Sequence, residues 1–224
     1  MEIGSLVFDN MDQIDFTGPY EVLSRLPGHT HRSYSPTGGV VRDVRGLAIV
    51  PDAAIADAPP LDVLHVPGGR GVDVLMENEE VLAWLRKQSG GAVLSVCTGA
   101  LLLGAAGLLA GRRATTHWAS LGLLKEFGAV TVDERVVVDG GWIFAAGVTA
   151  GIDGALTLAA RRCGDEVAQG IQLYMQYAPE PPFDAGTPST APAAVLAAAK
   201  ADMAEVTSRR QEVIRRIVSG HAHP

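Results

Sequence analysis

Cysteine is nearly absent from this chain of 224 residues: only Cys97 and Cys163 occur, at unrelated positions. Two such residues make no disulfide framework, which points to a reducing compartment. The opening Met-Glu-Ile-Gly-Ser-Leu-Val-Phe-Asp lacks the basic n-region of a secretory leader, and a cytoplasmic location is expected. Positive charge is also in short supply. Lys and Arg number 18 against 25 Asp and Glu, for a net charge of -7, and aromatic residues make up only 5%. No basic face is evident, so nucleic acid and anionic membrane are excluded as general partners. No His/Cys/Asp/Glu spacing resembles a zinc or iron site, and no phosphate-binding glycine loop occurs. Charge is missing altogether between Gly91 and Gly111, long enough for a membrane span. That stretch is glycine-rich and changes period at Cys97, so a buried strand followed by a buried helix is expected, with no membrane partner.

What the chain does have is hydrophobic content of 47% and enough length for one sizeable core. Strand-like and helix-like patterns alternate. Strands are expected at Ile3–Phe8, Asp62–Val66, the run ending at Cys97, Val130–Val132, Val136–Val138 and Trp142–Ala145, with one or two more in Ser33–Val50. A short extended piece ends at Thr115–His117. Helices are expected from Thr17-Gly-Pro19 to about Leu26, over Val74–Gln88, after Cys97 to near Gly111, and over Ala119–Phe127, Gly151–Arg162 and Glu166–Gln176. Repeated βα units predict an α/β three-layer sandwich with a mostly parallel central sheet and helices on both faces. After Tyr177 a proline-rich stretch to Pro192 predicts an extended strap. Ala193–Val218 follows as a helix with an apolar stripe at Val195, Ala199, Met203, Val206, Val213 and Ile217. The chain thus divides into an α/β domain over 1–177 and a strap and helix over 178–224, packed on the same domain or on a partner subunit. Arg209, Arg210, Arg215 and Arg216 interleave with Glu205 and Glu212 and are assigned to a solvated helix face.

The most informative stretch is Ala92-Val-Leu-Ser-Val-Cys97-Thr98-Gly99. An apolar run buried on both faces ends at a cysteine, and a helix pattern begins at once. A side chain at such a turn projects where ligands bind in open α/β sheets. The helix N-terminus should lower the thiol pKa and favour the thiolate, as in a nucleophile elbow with sulfur in place of oxygen. Cysteine is equally among the residues most often buried as inert packing. Cys163, late in a helix pattern, is assigned to packing.

Several residues can converge on Cys97. Gly68 and Gly69 end a neighbouring strand and allow close backbone approach, their N–H groups joining that of Thr98 to hold negative charge; a plain βα turn explains them as well. Asp15, placed just before the first helix, is either its cap or a proton-transfer acid. His117 is either a base for the cysteine or a structural histidine. Asp153 supports the helix it opens.

Pro67-Gly-Gly69, Val96-Cys-Thr-Gly99, Ala114-Thr-Thr-His-Trp118 and Ala146-Gly-Val-Thr-Ala-Gly-Ile-Asp153 together resemble the ThiJ/PfpI superfamily, which is related to class I glutamine amidotransferases. The resemblance spans nearly the whole chain and implies a flavodoxin-like sandwich, homodimerisation and a nucleophilic cysteine at Cys97. Ile171-Gln-Leu-Tyr-Met-Gln-Tyr-Ala-Pro-Glu-Pro-Pro-Phe-Asp-Ala-Gly186 resembles more narrowly the isonitrile hydratases. Asp15 matches a position where many members carry a glutamate hydrogen-bonded to the cysteine, here the shorter aspartate. Thr98 departs from members that place histidine there, which rules out an adjacent Cys-His dyad. His117 matches a position often held by histidine.

The resemblance implies hydration of a small-molecule isonitrile to an N-substituted formamide through a thioimidate on Cys97, with no metal or organic cofactor. Asp15 would move the proton, Thr98 would orient the intermediate or share in proton transfer, and Gly68, Gly69 and His117 would line the substrate's place. Two other functions share the motifs. One is the ligand-sensing domain of AraC-type transcription regulators without their DNA-binding region. The other is a glyoxalase or deglycase, which the Cys97-Thr98 pair disfavours.

Overall fold

In the computed structural model, which describes residues 1–221, β-branched and leucine-rich runs form a seven-stranded sheet at the centre of three layers. The strands in chain order are β1 (Glu2–Leu6), β2 (Thr30–Ser35), β3 (Val41–Arg42), β4 (Ala48–Ile49), β5 (Ala53–Ala54), β6 (Val63–Val66), β7 (Ala92–Val96), β8 (Arg113–Ala114), β9 (Val130–Thr131), β10 (Val136–Asp139) and β11 (Trp142–Ala145). The helices are α1 (Gln13–Leu23), α2 (Val72–Leu75), α3 (Glu79–Gln88), α4 (Gly99–Ala105), α5 (Ala150–Cys163), α6 (Asp165–Tyr174) and α7 (Ala193–His221), with 3-10 turns at Ile55–Asp57 and Trp118–Phe127. The sheet order is β10-β11-β7-β6-β1-β2-β5, and only β10 runs antiparallel to its neighbour. This is the flavodoxin-like α/β arrangement expected.

Every residue of β7 is buried. Alternate side chains of a strand point to opposite faces. Val93 accordingly joins a core cluster with Leu101, Leu124, Val213 and Ile214, while Leu94 and Val96 join another with Val22, Ala155 and Leu158. One face of the sheet is therefore covered by α1, α5 and α6, and the other by α3, α4 and the C-terminal half of α7. The charge-free segment from Gly91 to Gly111 divides between β7 and α4, and no helix among the described residues is long and apolar enough to cross a membrane.

Three expectations need correction. The first helix begins at Gln13 rather than Thr17, so Asp15 lies in its first turn and Pro19 in its interior. The expected helix over Val74–Gln88 is two helices. Asn78 adopts an extended conformation and its side chain accepts the Val81 N–H at 3.1 Å, restarting the chain as α3. The stripe of α7 is docked only in part: Val213 and Ile214 are buried, whereas Val195 is 55% exposed. Residues 178–192 contain neither strand nor α-helix.

Candidate active site

The parallel strands β6 and β7 deliver two turns side by side at their carboxyl ends. At the β7 turn Cys97 has φ of 53°, a left-handed conformation uncommon for a residue with a side chain. Its backbone is held from both directions: its N–H donates to the Ala145 carbonyl at 2.9 Å, and its carbonyl accepts from Thr116 Oγ1 at 2.5 Å. The strained turn is thus fastened by the neighbouring strand and by the segment leading to His117.

At the β6 turn the two glycines are required by close approach. A Cβ on Gly68 would lie 2.4 Å from the Thr98 nitrogen and 3.0 Å from Asp15 Oδ2. Gly69 has φ of 137°, and a Cβ there would lie 2.5 Å from the Asp12 nitrogen. The N–H groups of these glycines are committed within the protein. That of Gly68 donates to Asp15 Oδ2 at 3.0 Å, and that of Gly69 to Thr98 Oγ1 at 3.0 Å. The expectation that these N–H groups face a ligand is corrected: they hold the Asp15 carboxyl and the Thr98 hydroxyl in place. The Thr98 hydroxyl in turn donates to the Gly69 carbonyl at 3.2 Å.

Asp15 is fully buried beside Cys97. Burial pushes its carboxyl up to about 7, Asp12 adds to the rise, and the hydrogen bonds with Gly68 and Cys97 oppose it. Its Oδ1 is buried without a hydrogen-bond partner among the described residues. The Cys97 thiol is pushed up as well, by burial first and by the Asp15 charge second. The Thr98 N–H and the Arg210 charge pull in the favourable direction and are outweighed. The resting group is a thiol, not the thiolate that its place at a helix N-terminus suggested.

Pro19 has a structural consequence here. It has no N–H to give the carbonyl four residues back, which is that of Asp15. His65 of β6 occupies the position instead, its Nε2 3.1 Å from the Asp15 carbonyl oxygen. With Nε2 as donor, His65 Nδ1 accepts from Ser5 Oγ at 2.9 Å, and Ser5 Oγ meets His31 Nε2 at 2.8 Å. Burial lowers both histidines, His65 to about 3 and His31 to about 4, so both stay neutral and the chain of bonds keeps its direction.

Cys97, Thr98, Gly69 and His117 line a cavity of about 220 Å³; Asp15 and Gly68 support it from beneath these residues without lining it. His117 caps the 3-10 turn, its Nδ1 accepting the Ala119 N–H at 3.4 Å, and burial followed by the Arg210 charge lowers its pKa. Among the described residues its hydrogen bond goes to Ala119 and not to Cys97. Asp153 pairs with Arg135, and Arg25 stacks 3.9 Å from the centre of the Tyr174 ring; neither belongs to the cavity. Among the described residues no group of three His, Cys, Asp or Glu side chains is placed to hold a metal ion.

The far wall comes from α7, through Met203, Val206 and Arg210. Assignment of Arg210 to a solvated face is corrected. It is 4% exposed, paired with Asp73 at 2.7 Å, because the helix turns this position toward the sheet. A signal was present in the spacing: positions 203, 206, 210, 213 and 217 fall three and four apart, so Arg210 occupies the apolar stripe itself.

The pattern of the DJ-1/PfpI family matches residues 1–161. An isonitrile hydratase of Pseudomonas putida is 48% identical over 219 residues, covering 96% of each chain. The crystal structure of a ThiJ/PfpI family protein from Pseudomonas syringae superimposes with a TM-score of 0.92 at 38% identity, over 95% of this chain and 90% of that one. The HTH-type transcriptional regulator GbdR of Pseudomonas aeruginosa is 32% identical over 185 residues, 78% of this chain but 50% of the regulator. A strained cysteine at a strand-to-helix turn, a buried carboxyl beside it and the match over most of the chain have one explanation: this chain belongs to the DJ-1/PfpI family.

Proposed function

We propose that this protein is an isonitrile hydratase, converting an isonitrile and water to the N-substituted formamide with Cys97 as nucleophile. The likeness to the P. putida isonitrile hydratase, running through α7 as well as the α/β sheet, is the observation that carries the reading. The regulator shares less of this chain, and the buried Asp15 beside Cys97 gives the site a proton carrier that ligand binding alone does not need.

The protonation states suggest how the steps run. Asp15 sits at about 7 and Cys97 well above its ordinary value, so Asp15 is about half ionised at neutrality and the reacting form pairs its carboxylate with a thiol. As sulfur bonds to the terminal carbon of the isonitrile, Asp15 takes the thiol proton and delivers it to that same carbon. The product is a thioimidate, R–N=CH–S–Cys97. Water then adds to its carbon as Asp15 takes one of its protons and passes it to the nitrogen, giving R–NH–CH(OH)–S–Cys97, whose hydroxyl proton reaches the sulfur through Asp15 on collapse. The tetrahedral adduct collapses by breaking the C–S bond, releasing R–NH–CHO and restoring the thiol. Thr98, tied to Gly69 by two hydrogen bonds, orients the intermediate, and its N–H favours the charged form of the sulfur. Gly68 supports the site through Asp15, while Gly69 and His117 form part of the substrate's enclosure.

The same proposal includes a cytoplasmic location, supported by the two free cysteines, no binding of nucleic acid or membrane, supported by the net charge of -7, and the homodimer that the family resemblance implies. It also includes a division of labour between an α/β unit over 1–177 and the strap and helix over 178–224.

The test is formamide production from cyclohexyl and phenyl isonitriles, followed by loss of the isonitrile infrared band. Wild type should turn over and Cys97→Ala should fall to background. Equal rates in the two proteins, or no conversion by reduced, folded wild type, would reject the reading.

A further inference from the structure

Outside the residues matched by the family pattern, α7 brings two charged residues to the cavity, Asp202 and Arg210, and of these Arg210 is the buried one. All three guanidinium nitrogens of Arg210 are engaged. Nε donates to Asp73 Oδ1 at 2.7 Å, Nη1 to Ser120 Oγ at 3.2 Å, and Nη2 to the Gly69 carbonyl at 2.9 Å. Asp73 is 5% exposed, so the ion pair is buried on both sides. Desolvating two charges offsets most of their attraction, and an apolar pair of similar size often serves a fold as well or better. Stability therefore gives little reason for arginine in a stripe otherwise formed by Met203, Val206 and Val213. An apolar side chain cannot grip the Gly69 carbonyl. That carbonyl belongs to the turn whose two N–H groups fasten the Asp15 carboxyl and the Thr98 hydroxyl.

We propose that Arg210 is a positioning residue: by holding the Gly69 carbonyl from α7, it keeps the Gly68–Gly69 turn, and through it Asp15 and Thr98, in register with Cys97. The inference rests on the roles given above to those three residues. It assigns the C-terminal helix a part in the chemical step, beyond covering the cavity.

The groups facing the Asp15–Cys97 pair are Asp12 at the start of α1, the Gly68 N–H from the β6 turn, His117 from the 3-10 turn and Arg210 from α7, with Arg45, Arg70 and Asp202 further around the cavity lined by Cys97; His65 touches the Asp15 backbone. If the turn drifts, the Gly68 N–H no longer favours the carboxylate, and the pH limb of turnover near 7 moves upward. The test uses the full chain with Arg210→Met/Asp73→Leu, which removes both buried charges and leaves neither unpaired. Arg210→Lys, which keeps a charge for Asp73 and loses the fork, guards against misfolding of the double variant. Arg216→Gln, on the exposed face of α7 where Arg216 meets Glu77 at 2.9 Å, is the docking control.

Folded Arg210 variants should show kcat lower by about 100-fold, KM within about threefold and the limb displaced to higher pH, since a small misplacement costs that much. Wild-type kcat and an unmoved limb in a folded Arg210 variant would overturn the proposal, and so would an equal loss in Arg216→Gln. Iodoacetamide alkylation of Cys97 across pH separates this proposal from the hydratase reading. Should wild type prove inactive on isonitriles, a displaced alkylation profile in Arg210→Lys, which keeps the charge that acts on Cys97, would still support positioning, and an identical profile in that variant would overturn it.

Discussion

On one side of the cavity stand Cys97 and Thr98, delivered by a strand and a helix adjacent in sequence and fastened to the neighbouring β6 turn. On the other stand Met203, Val206 and Arg210, from a helix near the end of the chain that reaches the site across the proline-rich strap. The first wall is backbone geometry: a left-handed cysteine, two glycines and N–H groups committed to side chains. The second is a side-chain wall on a helix whose N-terminal part stands away from the core. In the function proposed above, the reacting groups stand where the chain has least freedom to vary. On the other side Arg210 would serve the first wall, while Met203 and Val206 would leave substrate shape to side chains that can be altered one at a time.

Breaking the first wall should have the larger effect. Asp15→Asn keeps the shape of the carboxyl group and removes its proton transfer. We expect kcat to fall by roughly a thousandfold, as for loss of a general acid–base group, and the rise of kcat through about pH 7 to disappear with the titrating group. A pH profile of isonitrile turnover checks both; a surviving limb would assign it to another residue.

The second wall should answer in selectivity. Met203→Ala enlarges the cavity on the α7 side. The ratio of kcat/KM for cyclohexyl over methyl isonitrile should rise by about tenfold, the range that a few methylene groups command. An unchanged ratio would place the substrate's R group against the β3–β4 side, near Val44 and Arg45, instead.

The smallest effect sharpens what the first wall costs. Asp15 titrates at about 7 in the folded chain against 3.8 for an ordinary carboxyl. A raised acid pKa favours the fold while protonated and penalises it progressively as pH rises through the interval from about 4 to 7. Asp15→Asn should therefore melt higher than wild type at pH 8, by roughly 5 °C, and the difference should shrink toward pH 4. Thermal melts at the two pH values decide it.

The elbow was legible in sequence because its signals are local. A buried run, a cysteine and an immediate change of period occur within eight residues, and Pro67-Gly-Gly69 marks the neighbouring turn. Asp15 was legible as a candidate, but its place in the first helical turn was not, because Pro19 normally opens a helix and here sits inside one. What permits this is His65, remote in sequence and without any local signature. The resting thiol was missed for a similar reason: helix position is written in sequence, whereas burial is set by everything that packs around the sulfur. Arg210 was hidden by its companions, since four arginines among glutamates resemble a solvated face until the stripe is counted through position 210.

The proline inside α1 bears on how this site tolerates change. While Pro19 is present, the Asp15 carbonyl depends on His65; an alanine at 19 would restore the helical N–H and make His65 dispensable to that carbonyl. Loss of His65 first would leave a buried carbonyl bare and take from Ser5 the acceptor of its hydroxyl proton. The two positions can therefore be exchanged in one order and not easily in the other. Any lineage that replaces this histidine should pass through an intermediate that has already given up the proline.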